Sequence, residues 1–189
     1  MLYYGGNAED VSQSLPILER VFPGRGIHAL HYRGYGGSGG FPSEQALVAD
    51  ALALYDALAA GYRHVTVVGR SLGTGIAMQV AAARRCDRLV LITPYHSIVE
   101  LGQQRFPAFP VRWLLRDRYE SWRHAAHISV PTTIIVAAQD QVIASASAYR
   151  LARHFPPGIA EVVTIAQAGH GDVARYPQFA RAMAGAGAA

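Results

Sequence analysis

The sequence predicts an α/β protein with a mostly parallel, doubly wound sheet of about six strands and a short helical cap. Short apolar runs alternate along the chain with longer segments of helical periodicity, which is typical of strand–helix–strand units. The apolar runs are nearly continuous, as expected for parallel strands that helices bury on both faces. With 189 residues and 51% hydrophobic side chains, the chain suits a single domain over residues 1–189.

The first part of the chain contains two helix signals between its strands. Pro23-Gly24 ends a helical pattern that begins near Ala8, with Glu9 and Asp10 in the first turn, where acids favour the helix dipole. A second amphipathic pattern follows Pro42. In chain order we predict a strand at 1–4, a helix at 8–22, a strand at 27–32, a helix at 42–60, a strand at 65–68 and a helix after Ser71.

The alternation of strands and helices stops after a fourth predicted strand at 89–93. The run Phe106-Pro107-Ala108-Phe109-Pro110 breaks any helix, and only 113–115 and 119–127 resemble short helical pieces. We therefore predict a small cap over residues 94–129, inserted within the domain. The remaining predicted elements are a strand at 132–138, a helix at 145–155, a strand at 160–166, a last helix after Gly171 and a disordered tail after Met183.

The central motif of the chain is Gly69-Arg70-Ser71-Leu72-Gly73, which follows a β-branched run and precedes an alanine-rich helical segment. A Gly-x-Ser-x-Gly motif in this context predicts a sharp strand-to-helix turn that exposes the serine hydroxyl. The flanking glycines are needed because strand and helix backbones come close at such a turn. The motif predicts Ser71 as a nucleophile, with the Leu72 amide facing whatever lies above it.

Two further residues are predicted to meet Ser71 at the same edge of the sheet. Asp140 follows the fifth predicted strand and His170 follows the sixth, and ligands of parallel sheets gather at the carboxyl ends of strands. A histidine base oriented by an acid is what a serine hydroxyl needs in order to attack near neutral pH. Asp117 and Asp172 are the alternative acids.

The glycine-rich loop after the second predicted strand allows a different interpretation. Gly34, Gly36 and Gly39 match the Gly-x-Gly-x-x-Gly pattern of dinucleotide-binding proteins. In that fold the third glycine packs inside the helix, whereas here Gly40-Phe41-Pro42 still intervenes, and no acid ends a following strand to bind a ribose. We favour a loop beside the active site, on which Tyr35 is a candidate substrate-binding residue.

Composition excludes several classes of function. The net charge is +4, but all 17 basic residues are arginine, and no nucleic-acid-binding motif accompanies them, so we predict no nucleic-acid partner. The single cysteine, Cys86, excludes an internal disulfide and has no catalytic motif around it. No apolar run has the length of a membrane span and no signal peptide is evident, which predicts a cytoplasmic protein. The chemistry requires no metal or organic cofactor.

Taken together, the motifs resemble those of an α/β-hydrolase, in the small-capped group that includes serine aminopeptidase-like, prolyl-oligopeptidase-like and depalmitoylase-like hydrolases. The chain order Ser, Asp, His is that of this fold. The resembling segments are Gly-Asn-Ala-Glu-Asp after the first strand, Tyr-Arg-Gly-Tyr-Gly-Gly-Ser-Gly, Gly-Arg-Ser-Leu-Gly-Thr-Gly, the strand ending in Asp140, and Ala-Gly-His-Gly-Asp.

By this resemblance, Ser71 is the nucleophile, Asp140 the acid and His170 the base. Leu72 and Asn7 are the backbone oxyanion donors, with Gly6 as the alternative to Asn7. The implied function is a serine hydrolase that cleaves carboxylic esters or thioesters of a small acyl substrate through an acyl-enzyme. The alternatives are a non-catalytic binding module of the same fold, or a peptidase or acyltransferase that uses the same chemistry.

The sequence departs from the family pattern in two places. Gly5 stands where the family usually has a histidine, and the family's sheet normally has two more strands ahead of the first one here. The strand at 27–32 would then be an exposed edge, which favours association. We expect either a shortened N-terminus or a homodimer that covers this edge.

The cap is predicted to determine specificity. Phe106, Phe109 and Trp113 are candidate residues of an acyl pocket, and the cap arginines could attract an anionic substrate or a membrane surface. The alternative is that the aromatic side chains pack the cap onto the sheet and the arginines are solvated.

Overall fold

The computed structural model describes residues 1–185, which form one six-stranded sheet. Its order is β2-β1-β3-β4-β5-β6 and all neighbouring strands are parallel. The predicted fold class is therefore confirmed. The strands are β1 (Leu2–Tyr4), β2 (His28–Leu30), β3 (Thr66–Arg70), β4 (Arg88–Ile92), β5 (Thr132–Ala137) and β6 (Ala160–Ile165).

Helices connect the strands and cover both faces of the sheet. The α-helices are α1 (Leu15–Val21), α2 (Glu44–Leu58), α3 (Leu72–Ala83), α4 (Ile98–Arg105), α5 (Val111–Leu114), α6 (Trp122–Ala125), α7 (Ser145–Ala152) and α8 (Pro177–Ala184). Single 3-10 turns lie at Val11–Ser14, Ala59–Gly61 and Val173–Arg175. None of the helices within residues 1–185 is both long and apolar enough to cross a bilayer.

Two apolar clusters form the core, one on each face of the sheet. On one face, α2, α3, α6 and α7 pack against side chains such as Val67, Leu89 and Ile134, all fully buried. On the other face, α1 and α8 pack against the alternate residues of the same strands, such as Val68 and Ile135. This burial on both sides explains why the inner strands β4 and β5 are nearly continuously apolar.

Several predicted boundaries were wrong. The first helix begins at Leu15, not at Ala8, because Asp10 caps the preceding 3-10 turn by accepting from the Ser12 amide. The second strand has three residues, His28–Leu30, and pairs over its whole length with the three residues of β1. The last helix includes Ala184, and the rest of the predicted tail, residues 186–189, lies outside the described part of the chain.

The segment between β4 and β5 leaves the sheet and contains α4, α5 and α6. We predicted short helical pieces near α5 and α6 but no helix at α4. The signal for α4 was present in the sequence, because Ser97 is its N-cap and accepts from the amide of Glu100 at 3.1 Å.

Candidate active site

Ser71 lies on the turn between β3 and α3, with a φ of 48° and a ψ of −118°. A residue other than glycine rarely adopts a positive φ, so the surroundings must hold this backbone in place. The Ser71 amide donates to the carbonyl of Ile92 at 2.9 Å, and the Ser71 carbonyl accepts from the Thr74 amide at 2.9 Å and the Thr74 hydroxyl at 2.7 Å. These bonds fix the turn from both sides.

Gly69 and Gly73 allow three backbone segments to meet around that turn. A Cβ atom at Gly73 would lie 2.0 Å from the carbonyl oxygen of Tyr4, and one at Gly69 would lie 2.5 Å from the carbonyl oxygen of Gly73. Both distances are far below van der Waals contact. Any side chain at either position would therefore push β1 or β3 away from α3.

The structure brings Ser71, His170 and Asp140 together from the ends of three strands. The Ser71 Oγ lies 2.9 Å from Nε2 of His170, and the His170 Nδ1 lies 2.7 Å from Oδ2 of Asp140. The Asp140 side chain is 2% exposed and the His170 side chain 18%. A buried carboxylate on one side of the ring and a hydroxyl on the other fix the orientation of the imidazole.

The second carboxylate oxygen of Asp140 is bound as well. Its Oδ1 accepts from the amides of Val142 and Ile143, both at 2.8 Å. The two alternative acids have other contacts: Asp117 accepts from the Glu44 amide at 2.9 Å, and Asp172 accepts from the Gly169 amide at 2.7 Å. Asp172 thus shapes the loop that carries His170, while Asp140 is the acid that contacts the ring.

The loop after β1 passes beside Ser71. A Cβ atom at Gly6 would lie 3.4 Å from the Cβ of Ser71, so nothing separates the two backbones. The Gly6 amide donates to a carboxylate oxygen of Glu9 at 2.5 Å, whereas no acceptor within residues 1–185 is bound to the Asn7 amide. Leu72 opens α3, where amides have no partner within the helix. Of the predicted donors, Asn7 and Leu72 have amides that remain available, and Gly6 does not.

Tyr35 contacts the same loop from the glycine-rich segment. Its hydroxyl donates to the Asn7 side-chain oxygen at 2.6 Å, and its ring packs edge-on against Tyr32. A cleft of about 570 Å³ lies between the two loops and includes Asn7, His31 and Tyr35 in its walls.

The glycine-rich loop does not have the geometry of a dinucleotide-binding site. Gly39 lies outside α2, which begins at Glu44, so the third glycine is not packed inside a helix as a dinucleotide fold requires.

The predicted aromatic residues of the cap are exposed. Phe106 is 55%, Phe109 60% and Trp113 84% accessible, and the two phenylalanine rings contact each other edge-on with centroids 6.4 Å apart. They do not pack the cap onto the sheet, so that half of the alternative was wrong. The five cap arginines are exposed, as its other half expected: Arg105, Arg112, Arg116, Arg118 and Arg123. No hydrogen bond or ring contact within residues 1–185 joins them to Ser71 or His170, and substrate binding by these three residues stays a prediction.

Two tyrosines that we did not single out attach the cap to the core. Tyr95 is fully buried and its hydroxyl donates to the Leu72 carbonyl at 3.0 Å. Tyr119 is 4% exposed, and its amide donates to Glu44 on α2 at 2.9 Å. The signal for Tyr95 was its position directly after the fourth strand, at the edge where the site residues gather.

Cys86 is part of the core, as predicted from its lack of a motif. It is 9% exposed, and burial together with the nearby Asp87 charge raises the pKa of its thiol to about 11. The thiol is therefore neutral at physiological pH and a poor nucleophile. Within the described residues, no group of three or more His, Cys, Asp or Glu side chains is arranged to hold a metal ion.

Comparison with known proteins identifies the family. A model of the alpha/beta hydrolase fold matches residues 4–121 of the 189, from β1 through the Ser71 turn and into the cap. The chain belongs to the alpha/beta-hydrolase fold family. The match includes the loop that carries Asn7 and the motif around Ser71, whereas Asp140 and His170 lie beyond it.

The curated relatives are longer than this chain. An uncharacterized protein of Mycobacterium tuberculosis strain H37Rv is 34% identical over an alignment of 157 positions, which covers 80% of this chain and 56% of that protein. The lysophosphatidylserine lipase ABHD12 of Danio rerio is 32% identical over an alignment of 169 positions, which covers 76% of this chain and 44% of the lipase. The chain thus spans about half the length of the curated relatives it matches.

Solved structures share the fold at low sequence identity. The alpha/beta hydrolase domain-containing protein 10 from mouse matches with a TM-score of 0.72 and 16% identity, over 95% of this chain and 84% of that one. A monoacylglycerol lipase from Paleococcus ferrophilus matches with a TM-score of 0.68 and 17% identity, over 89% of this chain and 84% of that one. These matches establish the architecture of this alpha/beta hydrolase.

Proposed function

We propose that this alpha/beta hydrolase is a serine hydrolase that cleaves carboxylic esters or thioesters through an acyl-enzyme. The observation that carries the proposal is the 2.9 Å contact from Ser71 Oγ to His170 Nε2, continued by the 2.7 Å contact from His170 Nδ1 to Asp140. A hydroxyl, an imidazole and a buried carboxylate in this order have the geometry of a nucleophile, a base and the acid that orients the base.

The reaction follows from these contacts. His170 takes the proton of Ser71 as Oγ attacks the acyl carbon, and Asp140 stabilises the imidazolium that forms. As the tetrahedral intermediate collapses, the imidazolium donates its proton to the leaving alcohol or thiol. Water then enters, gives a proton to His170 and releases the acid from Ser71 by the same steps.

The oxyanion of the tetrahedral intermediate needs donors aimed at the place where the charge develops. The amides of Leu72 and Asn7 serve this role, because both remain available beside Ser71 while the Gly6 amide is bound to Glu9. Loss of one such donor typically lowers turnover by roughly 10²–10³-fold.

Acyl esters of lipids are the first substrates to test. The support is the 32% identity to a lysophosphatidylserine lipase over 76% of this chain. A panel of p-nitrophenyl esters and acyl thioesters of increasing chain length, together with a lysophospholipid and a peptide amide, separates ester, thioester and peptide cleavage. Adding an alcohol acceptor to the assay reveals acyl transfer.

The decisive experiment compares Ser71→Ala with Ser129→Ala, an exposed serine away from the site. Wild type and Ser129→Ala should react with a fluorophosphonate probe and hydrolyse p-nitrophenyl esters. Ser71→Ala should not be labelled and should keep at most about 10³–10⁴-fold acceleration over water. Equal hydrolysis by Ser71→Ala would remove Ser71 from the mechanism, and a wild type that neither labels nor hydrolyses would favour a non-catalytic binding module.

A further inference from the structure

The carboxylate of Glu9 is buried and fully bound, although no step of the proposed mechanism uses it. Its side chain is 9% exposed. Oε1 accepts from the Tyr3 hydroxyl at 2.7 Å and the Ser14 hydroxyl at 2.6 Å, and Oε2 accepts from the Gly6 amide at 2.5 Å and Arg70 Nη1 at 2.9 Å. Burial by itself raises the pKa of Glu9, but the hydrogen bonds and the Arg70 charge outweigh it and lower the pKa below its ordinary value.

These partners connect Glu9 to two of the segments that build the site, and Arg70 extends the connection to a third. Gly6 belongs to the loop beside Ser71, and Arg70 directly precedes Ser71 at the end of β3. Arg70 also reaches the loop of the base, since its Nη2 lies 3.5 Å from the His170 carbonyl oxygen. One ion pair therefore joins the loop of Asn7 to the strand end of Ser71 and, more weakly, to the loop of His170.

Glu9 contacts the peptide bonds on both sides of Gly6, one through its backbone amide and the other through its carboxylate. The Glu9 amide donates to the Gly6 carbonyl at 3.3 Å, while the Glu9 carboxylate accepts a hydrogen bond from the Gly6 amide. In a planar trans peptide the carbonyl and the following N–H point in opposite directions. With the Gly6 carbonyl directed to Glu9, the Asn7 N–H is directed away from Glu9.

Gly5 makes this arrangement sterically feasible. A Cβ atom at position 5 would lie 2.5 Å from Cγ1 of Val11 and 3.2 Å from Cδ of Glu9. A side chain there would displace Val11 or the carboxylate. The absence of a side chain at position 5 thus lets the carboxylate reach the loop.

From these contacts we propose that Glu9, paired with Arg70, is a positioning residue that holds the Asn7 amide in place for the oxyanion. The proposal rests on the proposed serine hydrolase function and adds to it a residue that touches no substrate. Its action is on the transition state, because an oxyanion forms only after Ser71 attacks. Loss of the ion pair should therefore lower kcat and leave KM nearly unchanged.

The test is Glu9→Gln, which keeps the shape of the side chain and removes its charge. A glutamine amide group cannot accept from the Gly6 amide, Arg70, Tyr3 and Ser14 at once, so we expect the loop to shift. We expect kcat per active site to fall by about 10–100-fold, less than complete loss of a donor, with KM changed by less than about threefold. Fluorophosphonate titration counts the active sites, so that misfolded protein does not lower the measured kcat.

Two further variants make the result specific. Arg70→Met should lower kcat by a similar factor, and the double variant should be no worse than the poorer single variant, because the two residues act as one unit. Arg70→Met alone tests the proposal if Glu9→Gln does not fold. Asp56→Asn removes a comparable carboxylate from the exposed Arg84–Asp56 pair between α2 and the end of α3, and should leave kcat unchanged.

The results separate this proposal from the proposed function. A kcat per titrated site within about twofold of wild type in both Glu9→Gln and Arg70→Met would overturn the positioning role while leaving the serine hydrolase intact. Fewer titratable sites with normal turnover at each would likewise overturn it, since that is the signature of a purely structural residue. A wild type that neither labels nor hydrolyses would overturn the function and the role of Glu9 together.

Discussion

Ser71 combines a positive φ with a hydroxyl that contacts His170. The strained turn lifts the hydroxyl away from the backbone, so that the imidazole can approach it without meeting β3 or α3. Asp140 then limits the ring to one orientation, because its carboxylate is held by two amides and cannot follow a rotating imidazole. In the proposed mechanism, the orientation of these three groups therefore matters more than their mere presence.

That dependence predicts a large effect of Asp140→Asn. An asparagine of the same shape can donate to His170 Nδ1 and stabilise the wrong tautomer, in which Nε2 carries the proton and cannot accept the one from Ser71. We expect kcat for a p-nitrophenyl ester to fall by about 10³–10⁴-fold. Asp117→Asn is the control and should retain nearly full activity, since Asp117 binds the Glu44 amide instead. A similar loss of kcat in both variants would show that the effect does not come from the contact between Asp140 and His170.

Glu9 predicts a dependence of stability on pH. Its pKa is lowered in the folded protein, so the ionised form stabilises the fold above the ordinary glutamate pKa of 4.5. This contribution is lost as the pH falls through the lowered pKa. The difference in free energy of unfolding between wild type and Glu9→Gln should therefore be larger at about pH 7 than at about pH 3, as measured by urea denaturation. A difference that stays constant or grows on acidification would contradict the assigned direction.

Among the elements, β3 and α3 could be predicted from sequence, because their glycine spacing is a local requirement of the turn. The shift of α1 from position 8 to 15 could not be predicted from the helical pattern. The acids at the start of that pattern are used elsewhere, Glu9 by Gly6 and Arg70, and Asp10 as a cap. The Glu9–Arg70 pair joins residues 61 positions apart, and helix or strand periodicity in the sequence cannot predict a contact between residues so far apart.

The contact between α3 and β1 predicts that Gly73→Ala is destabilising. The added methyl group would start 2.0 Å from the Tyr4 carbonyl oxygen, so β1 and the loop after it must move. Overpacking of this kind costs about 1–3 kcal/mol or more of unfolding free energy, and the moved loop should slow fluorophosphonate labelling of Ser71. Gly61→Ala is the matched control, because a Cβ there would meet no atom within 4 Å. Equal stability of the two variants would mean that the turn adapts easily.

For the whole molecule, the order of the sheet leaves β2 at one edge, next to β1. The family resemblance predicted that this strand would lie at an edge of the sheet, although the sequence could not show how short the edge strand would be. Parallel strands direct the amide and carbonyl of successive residues to opposite sides. Since the His28 amide donates to the carbonyl of Met1, directly before β1, at 2.9 Å, the amide and carbonyl of Ala29 face away from the sheet.

No strand within residues 1–185 pairs with the outer side of β2. Of the two expectations for such an edge, a shortened N-terminus or a homodimer, the second predicts that the chain associates with a second copy through β2. Ala29→Pro removes the outward amide and leaves the bonds of His28 to β1 in place, which an edge strand tolerates. We expect sedimentation velocity to show a concentration-dependent dimer for wild type and for Ala29→Val, and a monomer for Ala29→Pro with unchanged thermal stability. A wild type that stays monomeric at all concentrations would show that the short, half-buried β2 does not act as a pairing edge.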